Sequence, residues 1–191
     1  MSDQVAQLLA RVRSELQLSV QLTSAGKIEL DASGFSLPKW PKKLDPQRCV
    51  VIDTTAAADG YAWPTPRFEI LIANLDSIGL AVVQVGDPSS EKLQRAQQHF
   101  VRLAPPERAA VIQHAQLWIG HDTLWRTVAA AVDKPQVVIA LNKIVPVWKN
   151  TFVVDSAGHA PESAALGPVS VTSVATAVRD ALKQLGVPAQ L

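Results

Sequence analysis

The stretch that decides the fold is "GHDTLWRTVAAAVDKPQVVIA", residues 120–140. It opens with a glycine and a polar His-Asp-Thr turn, continues through an alanine-rich segment, and ends in Lys-Pro followed by β-branched residues. This order predicts the end of a strand, a tight turn, a helix over 122–132 and a strand over 136–141. A turn of this kind directs backbone N–H groups toward a site where an anionic ligand can bind.

The same alternation extends in both directions along the chain. Apolar runs predict further strands over 49–54, 80–85, 99–103, 117–119 and, at an edge, 148–156. Caps, prolines and apolar spacing predict helices over 65–78, 89–98, 105–115 and 171–185. Strands that alternate with helices form right-handed βαβ units. The predicted fold class is therefore α/β, a Rossmann-like, mostly parallel sheet with helices on both faces.

The N-terminal quarter has a different pattern. Residues 1–34 predict a helix over 3–17 and a β-hairpin around 24–26, which together would form an appendage. Residues 35–48 contain three prolines and four basic side chains and are interpreted as a linker. The predicted organisation is completed by a Rossmann-like domain over 49–191.

Composition excludes several classes of protein. The 191 residues are 48% hydrophobic and 18% charged, with a net charge of +1, which is typical of a globular domain without a general attraction to nucleic acid or anionic lipid. Neither a signal peptide nor a run of membrane-spanning length is recognisable, so we expect a cytoplasmic protein. The single cysteine, Cys49, opens an apolar run and is expected to be a buried thiol. No His/Cys spacing indicates a metal site.

Small and acidic residues follow the predicted strands. Ligands of wound parallel sheets bind outside the carboxyl ends of the strands, so these residues are the first candidates for a site. They are Asp53-Thr54-Thr55, Gly86-Asp87, Gly120-His121-Asp122 and Asn142-Lys143. For His121, three roles stay open: a general base, a hydrogen-bond donor to phosphate, or a loop histidine without a ligand. The aspartates at 53, 59 and 87 are candidate bases only if an acceptor reaches the same edge, and the catalytic residues stay unknown.

Two segments resemble a known family. "CVVIDTTAAADGYAWPTPRFEILIANLDSIGLAVVQVGD" (49–87) and "IQHAQLWIGHDTLWRTVAAAVDKPQVVIA" (112–140) look like the C-terminal half of the family-nine, heptosyltransferase-like glycosyltransferases of the GT-B fold. The resemblance covers about residues 49–185. It implies a nucleotide-sugar donor, with no metal, whose diphosphate contacts the turn and the start of the following helix.

The resemblance carries over residue by residue at this turn. Asp122 and Thr123 match the Asp-Ser pair of the family, whereas Leu124 replaces its glycine and Thr127 its histidine. Arg126, one residue earlier, offers positive charge in a different direction around the helix. The candidate residues for binding a nucleotide or nucleotide sugar are Gly120, His121, Asp122, Thr123, Arg126, Thr127, Gly86 and Asp53.

Three functions remain open from the sequence. The first is a single-domain glycosyltransferase relative that binds a nucleotide or nucleotide sugar. The GT-B fold works with two Rossmann-like domains, and residues 1–48 are too few for a second one, so we do not expect this chain to transfer sugar alone.

The second function is a catalytically silent structural or protein-interaction module, acting as a homo-oligomer or with a protein partner. The replacements at Leu124 and Thr127 favour it. Trp63, Trp125 and Trp148 would then serve an interface or the domain's own core. The third function, nucleic-acid binding through 35–48, is the weakest because the positive charge is confined to that segment.

Overall fold

The structure is a computed structural model that describes residues 3–57, 60–141, 147–155 and 169–187. Its helices are α1 (Asp3–Glu15), α2 (Thr65–Ser77), α3 (Pro105–His114), α4 (Leu124–Ala131) and α5 (Val171–Gln184). Its strands are β1 (Val20–Leu22), β2 (Ile28–Leu30), β3 (Cys49–Asp53), β4 (Ala81–Gly86), β5 (Gln98–Val101), β6 (Leu117–His121), β7 (Gln136–Ile139) and β8 (Thr151–Val154).

Six of these strands form one parallel sheet in the order β5-β4-β3-β6-β7-β8. The chain winds outward from β3 in one direction and, after crossing back to β6, in the other. The predicted Rossmann-like fold class is therefore confirmed. The strand order reverses between β3 and β6, and this switch point is where ligands of such sheets bind.

The central strands are predominantly apolar because helices cover both faces of the sheet. Val50 and Ile52 point toward the face that carries α2 and α5, whereas Cys49 and Val51 point toward the opposite face, with α3 and α4. All four side chains are fully buried. A continuous apolar run in the sequence is therefore the expected signature of these strands.

The N-terminal helix and hairpin pack directly on the sheet domain. Leu9, Val12, Val20 and Ile28 are buried in the same cluster as Trp118 of β6. The hairpin itself is formed as predicted, with β1 and β2 antiparallel. The division into 1–34, 35–48 and 49–191 stays a prediction, but the first part contributes to the core of the last.

The helix predicted over 89–98 is wrong. Instead, these residues form turns and irregular backbone before β5 begins. The Glu69 carboxylate accepts the backbone N–H groups of Gln94 and Arg95, and the Gln84 side chain accepts that of Leu93. Because distant side chains satisfy these amides, the segment needs no helical hydrogen bonds.

The two predicted helix starts have different outcomes. The helix predicted from residue 65 begins there as α2, with Pro64 at the N-cap position, and the Thr65 hydroxyl donates to the Glu91 carboxylate at 2.6 Å. The helix predicted from residue 122 begins at Leu124, with Thr123 as its cap. Gly79 ends the helical turn of α2 with a φ of +74°, as its position predicted.

Two fully buried glutamines provide a matched test of polar burial. Gln84 makes three hydrogen bonds: its Nε2 donates to Glu91 O at 2.7 Å and to Thr54 Oγ1 at 3.1 Å, and its Oε1 accepts from Leu93 N at 2.8 Å. For Gln136, in contrast, neither amide atom has a partner among the described residues. A buried polar group without a partner destabilises the folded state.

We therefore expect Gln136→Met to raise the free energy of unfolding by about 1 kcal/mol and Gln84→Met to lower it by about 1–3 kcal/mol. Urea unfolding of both variants beside the wild type measures the difference. Equal losses of stability would show that the Gln136 amide has a partner, such as an internal water molecule.

Cys49 provides a second test of the core. Burial raises the pKa of its thiol to about 12, because the charged thiolate loses its hydration inside the protein. At pH 8 the thiol is therefore protonated and enclosed, so Ellman's reagent should react with it in 8 M urea and not in the native state. Rapid labelling of the native protein would contradict this placement.

Candidate functional site

The ends of β3, β4 and β6 meet at one edge of the sheet. Asp53 pairs in register with Val85 of β4 on one side and with Gly120 of β6 on the other. Gly86 and His121 follow directly and end their strands. The structure thus brings together the strand ends that the sequence proposed as a site, at the switch point of the sheet.

A buried arginine lies at the centre of this edge. Arg108 of α3 donates from Nη2 to the carboxylate of Asp53 and to the hydroxyl of Thr55, and from Nη1 to Asp87 Oδ1 at 3.3 Å. Its guanidinium lies 4.2 Å from the ring centroid of Trp125. A buried cation is tolerated when carboxylates and an aromatic face replace its hydration in this way.

Arg108 was not among the candidates predicted from the sequence, although its spacing relative to apolar residues of the same helix indicates that it is buried. Arg108, Val111, Ile112 and Ala115 follow the three-four spacing of one helical face, and all four are buried. An arginine in line with core residues must find a charged partner, and carboxylates follow the neighbouring strands.

His121 connects two points of the segment that follows β3. Its Nε2 accepts the backbone N–H of Trp63 at 2.8 Å, and its Nδ1 lies 2.6 Å from the backbone oxygen of Thr55. The carbonyl can only accept, so Nδ1 carries the proton and the ring is neutral. Because the Nε2 lone pair is already bound, this geometry gives the ring a positioning role in preference to that of a general base.

Side chains at the start of α4 form hydrogen bonds with other groups of the same turn. The Thr123 hydroxyl accepts the Trp125 N–H at 3.2 Å, and the Asp122 carboxylate accepts from Nε of Arg126. Arg126 and Thr127 are buried, and the Thr127 hydroxyl has no partner among the described residues. The Asp122 side chain is 38% exposed and remains accessible from solvent.

The two glycines of the predicted site make room for neighbouring side chains. A Cβ at Gly120 would lie 2.5 Å from the ring of Trp118. A Cβ at Gly86 would lie 2.6 Å from the hydroxyl oxygens of Thr54 and Ser90. Both positions therefore require glycine for packing within the chain.

Some of the remaining candidate residues are buried in the core, and the others lie outside the described residues. Trp63 and Trp125 are buried and Trp148 is half-buried against the core, so all three pack within this domain. The predicted site residues Asn142 and Lys143, and the candidate base Asp59, lie outside the described residues.

The basic segment 35–48 is partly committed to the fold. Arg48 donates to Gly79 O at 3.0 Å and Ile78 O at 3.2 Å, and so caps the end of α2. Trp40 packs edge-on against His114, with ring centroids 4.7 Å apart. These contacts show that the segment lies on the domain and that one of its four cations is used there.

The described residues contain neither a metal-binding cluster nor a membrane-spanning helix. No group of three or more His, Cys, Asp or Glu side chains in the described part of the chain is arranged to hold a metal ion. None of the described helices combines the length and apolar character needed to cross a bilayer.

A doubly wound parallel sheet with polar side chains at the carboxyl ends of its strands defines a Rossmann-like domain. The profile of glycosyltransferase family 9 (heptosyltransferase) matches residues 7–141, and the chain belongs to this family. A comparison with curated proteins finds no significant match.

Solved structures show the same fold. E. coli heptosyltransferase WaaC with ADP-2-deoxy-2-fluoro heptose is 20% identical, with a TM-score of 0.58 over 76% of this chain and 45% of its own. The family 9 glycosyltransferase of Veillonella parvula is 16% identical, with a TM-score of 0.60 over 73% of this chain and 47% of its own. The dodecameric, iron-containing heptosyltransferase TibC, in complex with ADP-D-β-D-heptose, is 17% identical, with a TM-score of 0.61 over 83% and 50%. The chain thus spans about half the length of each.

The positioning role of His121 is testable by exchange of a single amide. In His121→Ala the Trp63 N–H loses its acceptor, so its hydrogen exchange should accelerate and the free energy of unfolding should fall by about 1–3 kcal/mol. His99→Ala is the matched control, because His99 Nε2 has no partner among the described residues. Unchanged protection of the Trp63 amide in His121→Ala would refute the role.

Proposed function

We propose that this family 9 domain is a structural or protein-interaction module that keeps the GT-B fold and does not itself hold a donor diphosphate for transfer. One observation carries the proposal: the two guanidinium groups that lie at the ends of β3, β4 and β6 are paired with carboxylates of the chain itself. Arg108 binds Asp53 and Asp87, and Arg126 binds Asp122.

A diphosphate requires the opposite balance of charge. It is bound by uncompensated cations, free N–H donors and the positive end of a helix. Around Arg108 and Arg126, three carboxylates face two guanidinium groups. Two like charges 4 Å apart near a protein surface repel by about 4 kcal/mol, so an incoming diphosphate meets a barrier at this edge.

The replacements at the start of α4 support the same proposal. Leu124 is half-buried where the family pattern has glycine, and its side chain limits close approach to the backbone. Thr127 is fully buried and neutral where the pattern has histidine. Neither residue supplies the charge or the access that a diphosphate needs.

A second candidate function is the binding of a nucleotide or nucleotide sugar at the same edge. It is favoured by the position of the 120–127 corner at the switch point, and by the ligands of two similar structures, ADP-2-deoxy-2-fluoro heptose in WaaC and ADP-D-β-D-heptose in TibC. The exposed part of Asp122 and the Thr123 hydroxyl are the groups available to such a ligand.

Titration with ADP and ADP-heptose distinguishes the two functions. A ligand at 100 times its Kd stabilises the folded state by about 2.7 kcal/mol, which corresponds to a rise in Tm of about 5–10 °C for a chain of this size. We expect no rise with either compound at millimolar concentration, measured by differential scanning fluorimetry and calorimetry.

A rise in Tm with either compound would contradict this expectation. If the wild type is stabilised by ADP or ADP-heptose and Asp122→Ala is not, the ligand binds at the corner and the second candidate holds. The interaction role is tested separately, by light scattering, which measures whether the purified chain forms oligomers. A strict monomer that retains no partner on an affinity column would leave only a structural role.

A further inference from the structure

The two carboxylates that bind Arg108 have very different access to solvent. The Asp53 side chain is 1% exposed and lies at the buried carboxyl end of β3. The Asp87 side chain is 50% exposed and reaches Nη1 at 3.3 Å from the outer side. Asp53 is therefore the permanent counter-ion of the arginine, whereas Asp87 occupies a position that a solvent-borne anion can also reach.

The guanidinium is held in place without Asp87. Asp53 and the Thr55 hydroxyl accept from Nη2, and the ring of Trp125 lies against one face. In addition, Arg108 Nε is buried and has no hydrogen-bond partner among the described residues. A rigid guanidinium with an unused donor and one replaceable carboxylate has the properties of an oxyanion site.

Asp87 is itself oriented toward this position. Its backbone N–H donates to Ser90 Oγ at 2.9 Å, and the Thr55 hydroxyl lies 3.5 Å from Oδ1. One carboxylate oxygen, Oδ1, thus lies near both Arg108 Nη1 and the Thr55 hydroxyl, in a position that a single phosphate oxygen could also take.

We propose that Arg108 and Thr55 form an oxyanion site for a phosphate or pyrophosphate group, and that the carboxylate of Asp87 occupies it in the native protein. The inference rests on the proposed function, because it names the contact that keeps this edge from binding a diphosphate. Asp87 acts as an intramolecular competitor, and its removal opens the site.

The test uses the whole chain and inorganic pyrophosphate. Asp87→Asn keeps the size of the side chain and removes its charge, so Arg108 loses its outer counter-ion. We expect Asp87→Asn to bind pyrophosphate at least about tenfold more tightly than the wild type, by isothermal titration calorimetry at low ionic strength. The matched control is Asp76→Asn, an exposed aspartate near the end of α2 at the opposite edge of the sheet, which removes the same charge without touching Arg108.

A second variant shows whether Arg108 is the residue that binds. Arg108→Met alone would strand the buried Asp53 charge, so it is combined with Asp53→Asn and Asp87→Asn, and folding is checked by circular dichroism. This triple variant should lose the gain in affinity. If it does not fold, Arg108→Lys in the Asp87→Asn protein serves instead, and should weaken binding because lysine lacks the planar fork.

The outcomes separate this inference from the proposed function. Equal pyrophosphate affinity in Asp87→Asn and Asp76→Asn overturns the inference, even if the wild type binds no ADP. Binding of ADP by the wild type overturns the proposed function, and the ratio of pyrophosphate affinities between Asp87→Asn and the wild type still decides the inference. A gain that persists without Arg108 also overturns it.

Discussion

The pairing of Arg108 with Asp53 is the constraint on which the polar edge of the sheet, at the ends of β3, β4 and β6, depends. A guanidinium buried between a helix and a sheet must be compensated where it lies, since its desolvation otherwise costs several kcal/mol. Here the compensation joins α3 to the ends of β3 and β4, and the Trp125 ring adds the start of α4. The polar edge of this domain is thereby part of its folded framework.

The sheet was predictable because its signals are local. Strands buried on both faces are predominantly apolar, and the runs at 49–53 and 81–86 stand out in the sequence even though they contain Asp53 and Gln84. The segment 89–98 was mispredicted because its amides are satisfied by Glu69 and Gln84, which are distant in sequence. A local sequence pattern cannot identify partners that are distant along the chain.

The candidate site was predictable in position more than in chemistry. Parallel strands end at a common edge, so the sequence predicts Asp53 and Gly120 at the same edge, and the strand order then makes them neighbours. Whether a side chain at that edge faces a ligand or a neighbour depends on tertiary contacts. His121 shows the difference: its position was expected, but its two backbone partners, Thr55 and Trp63, became evident only from the fold.

The close fit between Trp118 and Gly120 has a consequence for how this domain diverges. The indole fills the volume that a side chain at residue 120 would need, with 2.5 Å between the ring and an added Cβ. Residue 120 cannot gain a side chain while the indole stays in place, so a larger residue there should be accompanied by a change at residue 118 among descendants of this chain. A lineage with alanine at the glycine site is expected to carry a smaller residue at the tryptophan site.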